Sequence, residues 1–192
     1  DFTGIAGAAT TMDIKQVEIL RGPQGTLYGA NALAGLINLT SNQPTENVQG
    51  ELSLAIGSHN TKTMAAAMGG SLSSDVNYRV AVQSHTSDGY TTNDFLIKDD
   101  TDNIDELSLR AIFDWQASDD LSLKLTLFRV DADNGYDAFS LDNTRNTLSD
   151  KPGHDRQESS AVALHSNWQA NEQFDVVSLI SFADSDLEYG YD

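Results

Sequence analysis

Residues 106–116 read ELSLRAIFDWQ, and residues 121–127 read LSLKLTL. Apolar side chains occupy every second position in both stretches, and polar side chains fill most of the positions between them. In the first stretch the apolar positions are Leu107, Leu109, Ala111, Phe113 and Trp115. A period of two places alternate side chains on opposite faces of a β-strand. Both stretches are therefore predicted to be strands with one apolar face, and a helix is excluded.

The same alternation recurs along most of the chain after residue 46. Weaker examples lie at residues 49–57, 61–72, 76–83, 159–168 and 174–184. Together they predict about seven strands of roughly 8 to 12 residues, the length of tilted membrane strands and longer than the usual soluble strand.

The predicted connections are of two kinds. Short polar turns lie at residues 73–75, 118–120 and 170–172, whereas long acidic connections run over residues 89–105 and 131–158. Residues 57–60 form a tight turn at the end that otherwise carries the long connections. Short turns at one rim and long loops at the other are typical of outer-membrane barrels. A secreted soluble β-sheet protein is the alternative.

Composition excludes several other classes of protein. The 192 residues include 11 basic and 29 acidic side chains, for a net charge of −18, and no cysteine. Nucleic-acid binding is excluded because no basic patch is present. Disulfide frameworks and thiolate metal sites are excluded because cysteine is absent. No apolar run reaches the roughly 20 residues that a membrane-spanning helix needs.

A second informative stretch is VEILRGPQGTLYGANALAGLINLT at residues 17–40. Two short apolar strands flank a Gly-Pro stop and a glycine-bearing turn, which predicts a compact β-turn-β unit. The glycines do not form a nucleotide-binding loop, because the stretch lacks the Gly-Lys-Ser/Thr ending of a P-loop and the glycine spacing of a dinucleotide fold.

This stretch resembles the end of the plug domain of TonB-dependent outer-membrane receptors. The shared pattern is a Glu among apolar residues, then Leu-Arg-Gly-Pro, Leu-Tyr-Gly and a Gly before an apolar-Ile-Asn strand. The matching residues are Val17, Glu18, Leu20, Arg21, Gly22, Pro23, Leu27, Tyr28, Gly29, Gly35, Ile37 and Asn38. Ala34 departs from the pattern, because the family usually has a second glycine there.

The resemblance implies an all-β, mainly antiparallel chain. Residues 1–45 are expected to be the C-terminal part of an α+β plug domain. Residues 46–192 are expected to form about the first seven strands of a 22-stranded transmembrane β-barrel. A TonB box and the remaining strands are expected outside this chain, because seven strands are too few to enclose a folded plug.

The resemblance also implies active uptake of a scarce nutrient across the outer membrane of a Gram-negative bacterium. The cargo is expected to be a ferric siderophore, with cobalamin, haem or an oligosaccharide as alternatives. The implied partners are TonB with its inner-membrane motor proteins, the cargo, and outer-membrane lipid with lipopolysaccharide. No bond in the cargo changes, so a transporter without a cofactor is expected rather than an enzyme.

Arg21 is the main candidate functional residue that the resemblance implies. It is expected to lock the plug by packing against carboxylates of the barrel wall. Glu18 is a second candidate for this network, and an ordinary exposed acid on a strand is the alternative for it. A solvated arginine at a strand end is the alternative. Leu27, Tyr28 and the glycines around them are expected to shape the plug rather than contact cargo.

Two weaker patterns complete the candidates. Four aromatic residues near strand ends predict a membrane-interface belt, namely Tyr78, Trp115, Trp168 and Phe174. Asp131, Asp133 and Asp137, with Asp142 nearby, have the oxygen-rich spacing of a calcium loop, although a solvated loop tip is the favoured interpretation. No metal site is therefore predicted, and these aspartates are only weak candidates for one.

The sequence alone leaves two other function classes open. A passive porin or surface adhesin has similar strands but should lack the Leu-Arg-Gly-Pro unit. A secreted β-sheet hydrolase would need two carboxylates held in one pocket, and no spacing here indicates such a pair.

Overall fold

The computed structural model describes residues 12–28, with Leu27 by its backbone alone, and residues 34–140 and 142–192. The chain divides into two compact units between Gln43 and Pro44. The assignment of these units to a plug and a barrel wall stays a prediction.

The first unit is an antiparallel hairpin. Strand β1 covers Ile14–Arg21 and strand β2 covers Gly35–Ser41, and a single helical turn, α1 (Gly25–Tyr28), follows the Gly-Pro stop. One face of the hairpin exposes a ladder of paired apolar side chains, in which Val17 faces Leu39 and Ile19 faces Ile37.

The second unit is a seven-stranded antiparallel sheet with a small accessory sheet. The main strands follow one another in the order β3-β4-β5-β7-β8-β10-β11, and β6 pairs with β9 in parallel. Their bounds are β3 Gln49–Ile56, β4 Lys62–Ser71, β5 Val76–Ser87, β6 Thr92–Asn93, β7 Ile104–Ser118, β8 Leu121–Tyr136, β9 Asn146–Thr147, β10 Gly153–Asn171 and β11 Phe174–Gly190. The predicted all-β, mainly antiparallel fold class is confirmed.

Connections alternate in length, as predicted. One end of the sheet carries the short turns at residues 72–75, 119–120 and 172–173. The opposite end carries a tight turn at residues 57–61 and two long loops, which we call the 88–103 loop and the 137–152 loop. The accessory strands β6 and β9 belong to these two loops.

The strands are longer than expected at the long-loop end. β8 has 16 residues, β10 has 19 and β11 has 17, so the assignment of residues 131–136 and 153–158 to a loop was wrong. These segments lack apolar alternation, yet their backbones pair in the ladder between β8 and β10, which ends at Tyr136 and Gly153. Charged side chains also face one another across these strands. Arg129, for example, lies 3.2 Å from Glu158 on the neighbouring strand.

The two faces of the main sheet differ in burial. Ala81, Ser108, Ile112 and Val130 project from one side, which we call the buried face, and each is at least nine-tenths buried. The alternate positions form the exposed face. Within the part of the chain that the structure describes, no helix is long and apolar enough to cross a membrane.

Candidate functional site

The exposed face carries a continuous apolar band. Neighbouring strands contribute paired apolar residues, so that Val80, Ala111, Leu127, Val162 and Phe182 form one row across the sheet. On β7 the apolar positions run from Leu107 to Trp115, whereas on β8 they end at Leu127, because Arg129 and Asp131 pair with Leu109 and Leu107. The β7 span is about 27 Å along the strand and about 20 Å after the tilt of a barrel strand. That height is slightly less than the apolar band of an outer-membrane barrel, about 25 Å.

The aromatic residues of the predicted belt lie at the short-turn end of this band. Trp115 pairs with Val76, and Trp168 pairs with Leu121 and Val176. Both indole rings are about half exposed. Amphipathic rings at the margin of an apolar band are typical of a membrane–water interface.

A charged margin borders the band toward the long loops. Arg129 contacts Asp131 and Glu158, at 3.5 and 3.2 Å. Arg156 lies 2.6 Å from Asp133. The hydrogen bond and the charge of Asp133 raise the pKa of the Arg156 guanidinium. Two of these pairs, Arg129 with Glu158 and Arg156 with Asp133, join β8 to β10 where the apolar surface of these strands ends.

The hairpin of the first unit brings predicted motif residues together. Glu18 and Asn38 are direct cross-strand partners, and the Asn38 amide donates a hydrogen bond of 2.8 Å to the Glu18 carboxylate. Gln16 donates a second bond of 2.9 Å to the other carboxylate oxygen. Glu18 therefore has two partners inside its own hairpin.

The glycines of the motif have different structural reasons. Gly22 has a φ of +85° and donates its backbone N–H to the Ala34 carbonyl at 3.1 Å, which closes the hairpin. A Cβ on Gly35 would lie 2.8 Å from the Leu20 carbonyl oxygen, so close backbone approach requires glycine there.

Arg21, Pro23 and Tyr28 of the motif are exposed. Arg21 pairs with Gly35 at the end of β1, and its side chain is exposed, as is Pro23. Tyr28 is 44% exposed at the end of α1. Gly29 and the Leu27 side chain lie outside the described residues.

The three candidate cation ligands are not gathered into one site. Asp131 and Asp133 project from the exposed face and face Arg129 and Arg156. Asp137 lies in the 137–152 loop, where it is 4% exposed and already accepts hydrogen bonds from protein groups. No group of three or more potential ligands occurs among the described residues.

Sequence patterns missed a buried polar cluster between the long loops. One oxygen of Asp137, Oδ2, accepts hydrogen bonds from Asn93 at 2.8 Å, Thr101 at 2.7 Å and Thr147 at 2.7 Å. These donors lie up to 44 residues away along the chain. No local motif signals the cluster, because the donors come from two different loops.

An aromatic cluster lies beside this polar cluster, on the ends of β8 and β11. The Tyr136 and Tyr189 rings are 4.9 Å apart, and Phe139 and Tyr191 extend the cluster. A hydrogen bond with Tyr136 raises the pKa of Tyr189 to about 12. The exposed rings of Phe139 and Tyr191 offer a stacking surface near the loops.

Parts of this chain are similar in sequence to known receptors and transporters. A pesticin receptor of Yersinia pestis is 43% identical over 49 residues, which are 26% of this chain and 7% of that protein. A vitamin B12 transporter of Vibrio vulnificus (strain YJ016) is 23% identical over 130 residues, which are 68% of this chain and 21% of that protein. This chain therefore spans about a fifth or less of these relatives. No family model matches it.

A solved structure shows the same arrangement of strands. The ferric yersiniabactin uptake receptor of Yersinia pestis superposes with a TM-score of 0.82 at 19% identity, over 93% of this chain and 29% of that chain. The resemblance to TonB-dependent receptors is confirmed. The predicted location is the outer membrane of a Gram-negative bacterium, and the similarity to these relatives supports it. By name they are receptors and a transporter.

Proposed function

We propose that the chain is part of a TonB-dependent outer-membrane receptor for active uptake of a ferric siderophore. The first unit is the end of a plug domain, and the seven-stranded sheet is part of the wall of a 22-stranded barrel. The long loops face the cell exterior, and the short turns face the periplasm. The receptor changes no bond in its cargo and acts as a transporter.

The observation that carries this proposal is the order of the two units. The Leu-Arg-Gly-Pro hairpin directly precedes a sheet with a lipid-sized apolar band and long loops at one end. A porin or an adhesin would account for the sheet alone, but it would not account for the hairpin. The solved receptor with the same strand arrangement is named for uptake of ferric yersiniabactin, which supports a ferric siderophore as the cargo.

Energy from the proton gradient is expected to reach the plug through TonB and its inner-membrane partners. Lipopolysaccharide and outer-membrane lipid would contact the apolar band. Vitamin B12 uptake is the second candidate, because the match with a vitamin B12 transporter covers 68% of this chain.

The test is uptake by cells that carry the full-length receptor, with TonB present or deleted. Labelled ferric yersiniabactin, a ferric trihydroxamate and cobalamin are the probes. We expect one probe to accumulate only when TonB and the proton gradient are intact. Accumulation that is equal without TonB would show a passive pore and overturn the proposal.

A further inference from the structure

We propose that Asp137 is a positioning residue that joins the 88–103 loop and the 137–152 loop into one preformed unit for cargo capture. The capture role rests on the proposed receptor function. The joining of the two loops rests only on the structure.

The hydrogen bonds at Asp137 connect both loops through buried groups. Its Oδ2 atom accepts bonds from Asn93 and Thr101 of the first loop and from Thr147 of the second. Asn93 is fully buried, Thr147 is 2% exposed and Thr101 is 8% exposed. Water therefore cannot replace the carboxylate without opening the cluster. Removal of the Asp137 carboxylate leaves three buried donors without this acceptor.

Asn93 extends this cluster to the tip of the first loop. Its side-chain nitrogen also donates to the Ser149 carbonyl at 2.9 Å, and its side-chain oxygen accepts the Leu96 backbone N–H at 2.7 Å. The Asn93 and Lys98 backbones exchange hydrogen bonds across the tip. One buried amide thus holds the tip and reaches the other loop.

The parallel pair of β6 and β9 gives a second connection. Thr92 pairs with Asn146, and the Asn146 amide donates to the Asp94 carboxylate at 2.8 Å. Asp94 also donates its backbone N–H to the Thr147 carbonyl at 3.0 Å. A pair of two-residue strands is too short to persist alone, so its stability depends on the buried cluster beneath it.

The joined loops display apolar side chains to solvent. Ile97 is 90% exposed and has a φ of +54°, a strained conformation for a β-branched residue. Phe95 and Leu148 are 60% and 61% exposed. Strain of this kind persists only where the surroundings hold it, and here the Asn93 anchor holds it. The unit therefore presents a preformed surface rather than two mobile loops.

Preformation has a measurable consequence for binding. If loss of Asp137 leaves about one receptor in ten with the loops joined, the apparent affinity for cargo falls about tenfold. The loss occurs without removal of a cargo contact, because the Asp137 carboxylate is buried.

The first experiment measures loop coupling in the full-length receptor without cargo. Amide hydrogen exchange is compared in wild type, Asp137→Ala, Asp137→Asn and the matched control Asp142→Ala. Asp142 is an exposed carboxylate of the same region that bonds with Thr144 nearby. We expect Asp137→Ala to accelerate exchange at least about tenfold in both loops, whereas Asp137→Asn and Asp142→Ala stay closer to wild type. Acceleration confined to the 137–152 loop, or none, would overturn the joining role.

The second experiment separates positioning from direct contact. Cysteines replace Thr92 and Asn146, which are direct cross-strand partners in the β6–β9 pair, in the Asp137→Ala background. These 192 residues contain no cysteine to compete for the disulfide, and any cysteine elsewhere in the full-length receptor is first replaced by serine. We expect oxidation to restore binding of the imported probe, and reduction to abolish the rescue. If the loops of the oxidised receptor are protected from amide exchange but the probe still binds weakly, Asp137 acts in another way and the positioning role is overturned.

The two experiments distinguish the two proposals. Failure of wild type to bind ferric yersiniabactin, a ferric trihydroxamate or cobalamin overturns the capture role together with the receptor function. The exchange result would still decide whether Asp137 joins the loops. Normal import with unchanged exchange in Asp137→Ala would overturn this inference and leave the receptor function standing.

Discussion

Asn38 donates a hydrogen bond of 2.8 Å to the Glu18 carboxylate across the β1–β2 hairpin. Both residues belong to the motif by which the sequence resembles TonB-dependent receptors. In the described chain Glu18 therefore stabilises the local hairpin, and any contact with a barrel wall would be additional to that bond.

Replacement of Asn38 by Ala should weaken the hairpin by about 1 kcal/mol, since the Glu18 carboxylate loses a part-buried donor. Amide hydrogen exchange of residues 14–41 in the full-length receptor measures the effect. Gln16→Ala is the control, because the exposed Gln16 side chain donates to the same carboxylate at 2.9 Å. Equal effects of the two substitutions would contradict a special role for the cross-strand pair.

Gly35→Ala should destabilise the hairpin by about 1–3 kcal/mol, because the new Cβ would lie 2.8 Å from the Leu20 carbonyl oxygen. Gly25→Ala is a matched control in the same unit, since a Cβ there meets no atom within 4 Å. Exchange in β1 and β2 is expected to accelerate only in the first variant. If amide exchange in Gly35→Ala is as slow as in wild type, the hairpin accommodates the new Cβ without loss of stability, and the prediction is wrong.

Arg21→Ala tests the proposed lock between plug and wall. We expect lower siderophore uptake, or greater sensitivity to large antibiotics that the outer membrane normally excludes. Lys15→Ala is the control, because Lys15 is an exposed cation on the same strand. Normal uptake together with unchanged antibiotic resistance would leave Arg21 as a solvated strand-end residue.

Leu125→Lys tests whether the apolar band faces lipid. Leu125 lies in the row of Phe113 and Leu164, and a charge near the middle of the bilayer costs about 2–4 kcal/mol. Thr126→Lys places the same charge on the opposite face, beside the neighbour Lys124. We expect the first substitution to reduce the amount of folded receptor in outer-membrane fractions, measured by heat-modifiable gel mobility. A larger loss from Thr126→Lys would place lipid on the other face.

The tyrosine pair predicts a dependence on alkaline pH. Hydrogen bonding to Tyr136 raises the pKa of Tyr189 from 10.0 to about 12, so the folded state favours the protonated phenol. Its stabilising contribution is complete below about pH 10 and disappears as the pH rises through about 12. Tyr136→Phe should lower the pKa of Tyr189 toward 10, seen as tyrosinate absorbance at lower pH, whereas Tyr90→Phe should not.

Local rules were sufficient for much of the fold. The period of two in residues 106–116 identified β7 and its apolar face, because side chains alternate in any extended strand. The Gly-Pro stop and the spacing of the glycines identified the β1–β2 hairpin, since tight turns need those residue types. Both signals are contained within a few neighbouring residues.

Other features depended on partners that are distant along the chain. The outer ends of β8 and β10 are strands because their backbones pair from Asp131 with Glu158 to Tyr136 with Gly153, although neither segment alternates. Asp137 resembled a cation ligand next to Asp131 and Asp133. The structure instead surrounds it with donors from both long loops.

From the sequence alone, the strands, their apolar faces and the motif hairpin could be determined, because periodicity and turn chemistry act over short distances. Only the tertiary structure decided how far the strands extend and what Asp137 does. Those outcomes depend on strand register and on the return of separate loops to one place, where a single buried carboxylate holds groups that lie up to 44 residues from it along the chain.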